Sequence, residues 1–122
     1  MDATDLVRGL YEAYQRRDWD AAAGVLHPLA TVDMPDTRER LTGREGVLDF
    51  QRTYPEPWGD LSVLRVLGGA DEACAEIDVV GPDHTFRMAA FWRTDRGLLR
   101  DGIEYWVTVG GQEPPPGRAP TY

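Results

Sequence analysis

The sequence contains no lysine and no asparagine, and its thirteen basic residues are all arginines. Catalysis through a lysine Schiff base and phosphate binding by a P-loop both depend on a lysine side chain, so the composition excludes both mechanisms. Serine occurs once, as Ser62 in the alternating run LSVLRV, without the G-x-S-x-G surroundings of a nucleophile elbow. A serine nucleophile of that kind is therefore not expected.

Cysteine and histidine are nearly as scarce. The single cysteine, Cys74, excludes an intrachain disulfide, and its alanine neighbours predict a small buried strand residue rather than a reactive thiol. The two histidines, His27 and His84, lie far apart without metal-ligand spacing, so a zinc site would have to use carboxylates as well. We expect neither a metal nor any other cofactor.

Excess positive charge is absent too, because the formal net charge is −8 and the isoelectric point is near 4.6. Such a surface opposes non-specific binding to nucleic acid or to anionic membranes, so we expect neither as a partner. No apolar run approaches the roughly 20 residues that a transmembrane helix requires. The acidic start MDATDLV lacks the features of a secretory signal, which predicts a cytoplasmic protein.

Helical periodicity dominates the first half of the sequence. Apolar residues spaced three and four apart between Leu6 and Tyr14 predict an amphipathic helix. Asp18 can cap a second, short helix through WDAAAGVLH, which Pro28 would end, so the two helices are expected to form a hairpin. A third helix is predicted from Arg44 to Tyr54, after a short strand in ATVDM and a polar loop in DTRERLTG.

From Leu61 onward the hydrophobic period changes to two. This alternation predicts four strands, in LSVLRVLG, EACAEIDVVG, TFRMAAFWRT and LLRDGIEYWVTVG, and their short connections predict an antiparallel sheet. The fold class is therefore α+β, with N-terminal helices packed on one face of a curved antiparallel sheet, which is the face where a pocket can form. We expect one domain over residues 1–110 and a Gly/Pro-rich surface tail over residues 111–122.

This order of elements, together with RRDWDAAAGVLHPLATVDMPDTRERLTG and WRTDRGLLRDGIEYW, resembles the SnoaL-like branch of the NTF2-like superfamily. The shared features are the D-W-D joint in the helix hairpin, the L-H-P-x-A step into the first strand, the Thr-Gly before the third helix and the [DE]-Y-W of the last strand. The resemblance covers nearly everything up to Gly110. It implies a cone-shaped α+β barrel, commonly a homodimer, with one cavity between sheet and helices.

Members of that superfamily include polyketide cyclases, ketosteroid isomerases, limonene-type epoxide hydrolases and scytalone-type dehydratases, together with non-catalytic binding domains, so the fold alone does not determine function. Carried over by position, the general-base aspartate of the isomerases falls on Met34, their oxyanion tyrosine on Leu10 and their protonated aspartic acid on Ala90. All three are lost, which argues against steroid isomerisation by that arrangement.

The epoxide hydrolases are a closer match. Their two aspartates correspond to Asp78 and Glu104, but Glu76 stands at their arginine position, so their water-activating triad is broken unless Arg100 reaches across. Glu104 also falls where SnoaL-like cyclases place their acid/base aspartate, and this is the better-supported match. The resemblance therefore implies that Asp78 and Glu104 are the catalytic pair.

The strand EACAEIDVV leaves two interpretations open. Glu76 and Asp78 share one face, and Ala75, Ile77 and Val79 share the other. Either the acidic face is wet and the apolar face is buried in a dimer interface, or Asp78 points into the cavity while Glu76 lies near its rim. We expect the second arrangement for Asp78, with Asp78 as an ionised base and Glu104 as a protonated general acid.

The remaining candidate site residues would line the cavity around the two carboxyls. Apart from Arg100, most of them are aromatic or apolar and would suit a flat apolar ligand; ordinary core packing is the alternative for most of them. They are Tyr14, Trp19, Met34, Met88, Ala90, Trp92, Arg100 and Trp106.

The expected function is acid/base catalysis without a cofactor on an apolar molecule of polyketide- or terpene-like character, as a cyclisation, isomerisation, dehydration or hydrolysis. The alternative is a module that binds a small molecule or a protein without turnover. We also expect a homodimer through the outer face of the sheet, because Ala89, Phe91, Ile103, Tyr105 and Val107 leave apolar surface there.

Overall fold

A computed structural model describes residues 1–54 and 58–122. The first helix, α1 (Ala3–Arg16), begins at Asp2 in a capping box and ends at Arg17, whose backbone is left-handed with φ 58°. Asp18 caps the second helix, α2 (Trp19–Val25), by accepting a hydrogen bond from the amide of Ala21. The predicted helical hairpin is therefore present, and α2 ends before Pro28 because the chain is already in the first strand there.

Six strands form one sheet. Their bounds are β1 (Leu26–Met34), β2 (Glu39–Thr42), β3 (Asp60–Gly68), β4 (Glu72–Val80), β5 (Thr85–Asp95) and β6 (Leu98–Thr108), in the order β2-β1-β6-β5-β4-β3. The third helix, α3 (Gly43–Arg52), follows β2 directly. The α+β class, with N-terminal helices on a curved sheet, is confirmed.

Two features of the sheet differ from expectation. The pairing of β1 with β6 is parallel, so the sheet is mixed rather than antiparallel throughout. The edge strands β2 and β3 do not pair with each other, so the sheet stays open and does not close into a barrel.

Strand β2 lies inside the segment predicted as a polar loop. It pairs with β1 from Thr31 opposite Thr42 to Met34 opposite Glu39. Three of its four residues are exposed, so it has no apolar alternation from which to be predicted. An ion pair on this hairpin joins Arg40 to both carboxylate oxygens of Asp33, at 2.6 and 2.9 Å.

The core lies between the helices and one face of the sheet, called here the inner face. Helix α1 packs across β3 and β4, and α3 packs on β1. Every second residue of β4 from Ala73 to Val79 is buried on this face. Cys74 was expected to be buried, but it belongs to the opposite, outer face and is only partly buried. The outer face also carries the exposed rings of Phe91 and Tyr105.

Gly102 in β6 allows an aromatic ring to lie directly on the sheet. It is opposite Trp92 of β5, and a Cβ atom built on Gly102 would lie 2.8 Å from the Trp92 ring. Such a contact is too short for any residue with a side chain. The glycine therefore permits Trp92 to lie across β6, towards α1.

No helix among the described residues is long and apolar enough to cross a membrane. After β6, residues 109–122 contain neither helix nor strand.

Candidate functional site

A cavity of about 380 Å³ opens between the inner face of the sheet and the helices. This volume lies within the range usual for small-molecule pockets. Its lining comes from α1, the β1–β2 hairpin, the end of α3 and the inner faces of the central strands. The lining residues are Tyr11, Tyr14, Met34, Asp36, Thr37, Glu39, Phe50, Gln51, Tyr54, Trp58, Leu61, Val79, Phe86, Met88, Glu104, Trp106 and Thr108.

Glu104 is the buried carboxyl of this cavity. It is 3% exposed, and no other charged side chain in the described part of the chain is buried to that degree. The hydroxyl of Tyr11 donates to its Oε2 atom at 2.7 Å, and the indole Nε1–H of Trp106 donates to its Oε1 atom at 3.3 Å. Both carboxyl oxygens therefore accept a hydrogen bond from a neutral donor.

The direction of the Tyr11 hydrogen bond follows from a third residue. The indole Nε1–H of Trp92 lies 2.9 Å from the Tyr11 hydroxyl oxygen, and an indole can only donate. Tyr11 thus accepts from Trp92, and its single proton is directed to Glu104. The chain Trp92 to Tyr11 to Glu104 links β5, α1 and β6 in one defined order.

Burial shifts the protonation equilibria of these groups. It raises the pKa of Glu104 above its usual value, while the hydrogen bonds from Tyr11 and Trp106 partly oppose the shift. The pKa values of Tyr11 and Tyr14 are raised well above 10, first by burial and then by the charge of Glu104. Both phenols therefore stay neutral near neutral pH and act as hydrogen-bonding groups.

The mouth of the cavity is polar and acidic. Asp36 and Glu39 are exposed there, and the Thr37 hydroxyl donates to Glu39 at 2.6 Å. Trp58 lines the cavity, and the guanidinium carbon of Arg17 lies 3.7 Å from the centroid of its ring. The arginine at the α1–α2 joint therefore stacks on a ring of the cavity wall.

A metal site is not apparent in this region. Across residues 1–54 and 58–122, no three His, Cys, Asp or Glu side chains are grouped so that they could hold a metal ion.

Residues 7–102 match the family model of the SnoaL-like domain. The chain belongs to the SnoaL-like family. No curated protein sequence matches it.

Solved structures agree with this SnoaL-like assignment. A proposed ketosteroid isomerase from Kribbella flavida is 28% identical, with a TM-score of 0.85 over 97% of this chain and 90% of that one. An NTF2-like protein of unknown function from Burkholderia xenovorans is 18% identical, with a TM-score of 0.78 over 96% and 86%. An LEH-like epoxide hydrolase from Mycobacterium tuberculosis is 15% identical, with a TM-score of 0.71 over 86% and 82%. The last two show the shared fold.

Five of the residues predicted for the site in this SnoaL-like domain line the cavity: Glu104, Tyr14, Met34, Met88 and Trp106. Three others lie close behind the wall. Trp92 donates to Tyr11, Ala90 is fully buried opposite Glu104 in the sheet, and the ring of Trp19 packs 6.0 Å from that of Tyr14.

The placement predicted for Asp78 is wrong. Its side chain lies on the outer face of the sheet, where Arg87, directly opposite on β5, donates to its Oδ1 atom at 2.9 Å. The apolar residues of β4 fill the inner face instead, because burying them against the helices stabilises the fold without burying a charge. Asp78 and Glu104 therefore do not meet. Glu76 is on the same outer face, 3.3 Å from Arg65.

Arg100 is also absent from the cavity. Strict alternation predicts Arg100 on the same face as Glu104, but β6 is bulged at this point, since Asp101 pairs with Arg93 and Leu99 with Thr94. The bulge leaves Arg100 as the extra residue, and its Nη1 atom donates to Asp95 at 2.9 Å. Arg100 therefore cannot replace the arginine that the epoxide hydrolases have at the position of Glu76.

Sequence reasoning missed Tyr11 as a site residue. By its spacing Tyr11 belongs to the apolar face of α1, and it is next to Leu10, on which the oxyanion tyrosine of the isomerases falls by position. The available signal was its spacing from Tyr14, because residues three apart share a helix face. The two rings pack edge to face with centroids 5.6 Å apart, and both line the cavity.

Proposed function

We propose that this SnoaL-like domain is a cofactor-independent enzyme that moves a proton on a small apolar molecule, with Glu104 as the group that exchanges the proton. The observation that carries the proposal is the position of Glu104, buried in a cavity lined mainly by aromatic and aliphatic side chains. Buried carboxyls with a raised pKa are typical of the general acids and bases that work near neutral pH.

The hydrogen bonds around Glu104 favour one oxygen as the reacting atom. Oε2 accepts the short bond from Tyr11, which fixes the orientation of the carboxyl group. Oε1 accepts only the longer, 3.3 Å bond from Trp106, which is itself a residue of the cavity lining. We therefore assign proton exchange to Oε1 and treat Tyr11 as a positioning residue that acts through Glu104.

A single carboxyl favours a reaction with no net gain or loss of atoms. The Glu104 carboxylate can remove a proton from carbon beside a carbonyl, the electron pair moves onto the carbonyl oxygen to form an enolate, and the protonated Glu104 returns the proton to another atom. Isomerisation fits this sequence, and so does a cyclisation in which the enolate carbon attacks a second carbonyl and the resulting alkoxide takes the proton from Glu104. Hydrolysis and dehydration also move water, and Asp78, predicted to assist Glu104, lies on the other face.

Tyr14 supplies a second polar group for such a ligand. Its ring lines the cavity, and its phenol stays neutral because its pKa is raised well above 10 by burial. A neutral phenol can donate a hydrogen bond to a ligand carbonyl or enolate oxygen. The Kribbella flavida protein, at 28% identity, is described as a proposed ketosteroid isomerase, which also supports the isomerase class.

Proton exchange tests the proposal without knowledge of the natural substrate. A panel of enolisable cyclic ketones is incubated in deuterium oxide, and the loss of the α-proton signal is followed by NMR with and without the protein. We expect exchange that Glu104→Gln slows by roughly 10²- to 10⁴-fold. Glu76→Gln is the matched control, because it removes the same charge from the outer face. Exchange in the Glu104→Gln variant within a few-fold of the parent contradicts the proposal.

A binding module without turnover is the second candidate. It is favoured by the fact that both oxygens of Glu104 already accept hydrogen bonds, as in a structural carboxyl. Native mass spectrometry of the purified protein separates the two. A retained ligand that the protein leaves chemically unchanged, in the absence of any exchange activity, supports the binding module.

We also propose a homodimer through the outer face. Phe91 and Tyr105 are each 47% exposed and pack edge to face, with Val107 60% exposed on the same face. An open depression of about 1340 Å³ adjoins them, with Phe91 and Ile103 in its lining. Apolar surface of this kind is typical of protein interfaces.

A further inference from the structure

The charged residues that line the cavity are all acidic. Its lining contains the carboxyls of Glu104, Asp36 and Glu39 and, among the described residues, no arginine or histidine. The sequence has no lysine, and residues 55–57 are Pro, Glu and Pro, so they contain no basic residue. The cavity therefore favours positively charged ligands over negatively charged ones.

Glu104 has hydrogen-bond donors beside it but, among the described residues of the lining, no opposite charge. Tyr11 and Trp106 both donate to it, and Trp92 fixes the direction of the Tyr11 proton. Donors directed at both oxygens favour the ionised form of the carboxyl, in opposition to its burial, which raises the pKa. Buried charges in proteins are ordinarily paired with an opposite charge, and here none comes from the described lining.

The rest of the lining is suited to a cation. Three tyrosines, two tryptophans and two phenylalanines face the cavity. Aromatic faces attract ammonium and guanidinium groups, most strongly where water is excluded. Trp58 already accepts such a contact from Arg17, 3.7 Å from its ring centroid.

We infer that the ligand of this cavity carries an organic ammonium group, held between the Glu104 carboxylate and the surrounding aromatic rings. The inference rests on the proposed function, because it assigns a ligand class to the same cavity. The ammonium group supplies the positive countercharge that is missing beside the Glu104 carboxylate, and it keeps that carboxylate ionised in the complex. Glu104 then enters the reaction as a base, beside the carbon atoms nearest the ammonium group.

Ammonium binding should depend on pH through Glu104. Burial raises the pKa of this carboxyl in the free protein, so the affinity for a cation increases as pH rises through that value and is constant above it. Among the described residues, the other titratable groups facing the cavity are Tyr11 and Tyr14, which stay neutral, Tyr54, and the exposed mouth acids Asp36 and Glu39. A double variant, Asp36→Asn with Glu39→Gln, separates the contribution of the mouth acids from that of Glu104.

Choline and its uncharged carbon isostere, 3,3-dimethyl-1-butanol, are the probes. They have nearly the same shape, so a difference in affinity reports the charge. Binding is measured by calorimetry and by the indole NMR signals of the tryptophans. Above the pKa of Glu104 we expect choline to bind roughly tenfold more tightly than the alcohol, with the difference decreasing at lower pH.

Two variants locate the preference for the cation. Glu104→Gln should remove it, whereas Glu76→Gln, which changes the net charge equally on the outer face, should keep it. The pH dependence of the parent protein provides the same information should Glu104→Gln not fold. Equal affinity for the two probes, a preference that survives Glu104→Gln in a folded protein, or no choline binding at millimolar concentration each overturns the inference.

The outcome for the ligand class is separable from the outcome for catalysis. Deuterium exchange on uncharged ketones that depends on Glu104, combined with no preference for choline, leaves the proposed function standing and removes the inference. A Glu104-dependent preference for choline without exchange on any ketone, with or without an amino group, leaves the ligand class standing and removes the enzyme.

Discussion

The hydroxyl of Tyr11 lies between Nε1 of Trp92, at 2.9 Å, and Oε2 of Glu104, at 2.7 Å. This one group connects the first helix with the last two strands in the interior of the protein. Because the indole can only donate, the tyrosine proton has one destination, and the carboxyl is oriented before a ligand arrives. Preorganised groups of this kind require little rearrangement during a reaction.

Tyr11→Phe should destabilise the protein and change its pH profile. The substitution leaves the Trp92 indole without its acceptor and removes a donor from Glu104, which costs about 1–3 kcal/mol in the free energy of unfolding. In the parent protein the hydrogen bond from Tyr11 lowers the pKa of Glu104, so the loss of this bond should raise that pKa in the variant.

Urea unfolding and the pH dependence of deuterium exchange measure the two effects. The control is Tyr105→Phe on the outer face, which should change stability by less than about 0.5 kcal/mol. A Tyr11→Phe protein with the stability and pH profile of the parent contradicts the predicted role.

Glu104 should make the protein less stable as pH rises. Burial raises the pKa of the folded-state carboxyl above its unfolded value, so between these two values the folded state holds a proton that the unfolded state has lost. The free energy of unfolding therefore falls as pH increases through that interval and levels off above the folded-state pKa. Glu104→Gln should lack this decrease.

The measurement is the difference in unfolding free energy between parent and Glu104→Gln from roughly pH 4 to pH 8. Glu76→Gln serves as the comparison for a partly exposed carboxylate. A parent that gains stability relative to Glu104→Gln over this range would show that the hydrogen bonds to Glu104 outweigh its burial.

Gly102→Ala should displace Trp92. The added Cβ would lie 2.8 Å from the indole ring, so the ring must move away from β6 and from Tyr11. Overpacking of this kind costs about 1–3 kcal/mol in the free energy of unfolding. The near-ultraviolet circular dichroism of the tryptophans should change as well.

The matched substitution is Gly46→Ala in α3, where nothing lies within 4 Å of the new methyl group. It should raise stability by roughly 0.5–1 kcal/mol, because glycine disfavours the helix interior. Equal effects at the two positions would refute the predicted contact between Gly102 and Trp92.

The proposed dimer should dissociate when charge is introduced on the outer face. Phe91→Asp or Tyr105→Asp places a carboxylate in an apolar patch where burial would leave it unpaired. We expect the parent protein to sediment as a dimer at micromolar concentration and both variants as monomers. Leu64→Asp, at an equally exposed position on the edge strand β3, should stay dimeric. A monomeric parent rules out the dimer.

Sequence reasoning was most reliable where a period spans many residues. The apolar spacing of α1 and the alternation of β4 both predicted real elements, because burial of one face imposes that period. Alternation defines two faces but does not say which is inside. For β4 the acidic face containing Asp78 was chosen, and the structure buries the face of Ile77.

Short and irregular features were harder to predict. Strand β2 is held by pairing with β1 and by the Asp33–Arg40 ion pair, neither of which has a local apolar signature. The bulge at Arg100 shifts the alternation in β6 by one residue. Glu104 was identified through the family resemblance, whereas Tyr11 required knowledge of how α1 is rotated against the sheet.

The parallel contact between β1 and β6 determines the order in which the protein can be completed. Strands β3 to β6 are joined by short connections and can pair as successive local hairpins, but β1 must wait until β6, the last strand to be made, is available. During synthesis the β1–β2 hairpin and α3 have no neighbouring strand to join. The cavity wall that β1 and β6 share therefore cannot be completed until β6 has been made, and a chain released before Leu98 leaves one edge of β1 unpaired and open to self-association.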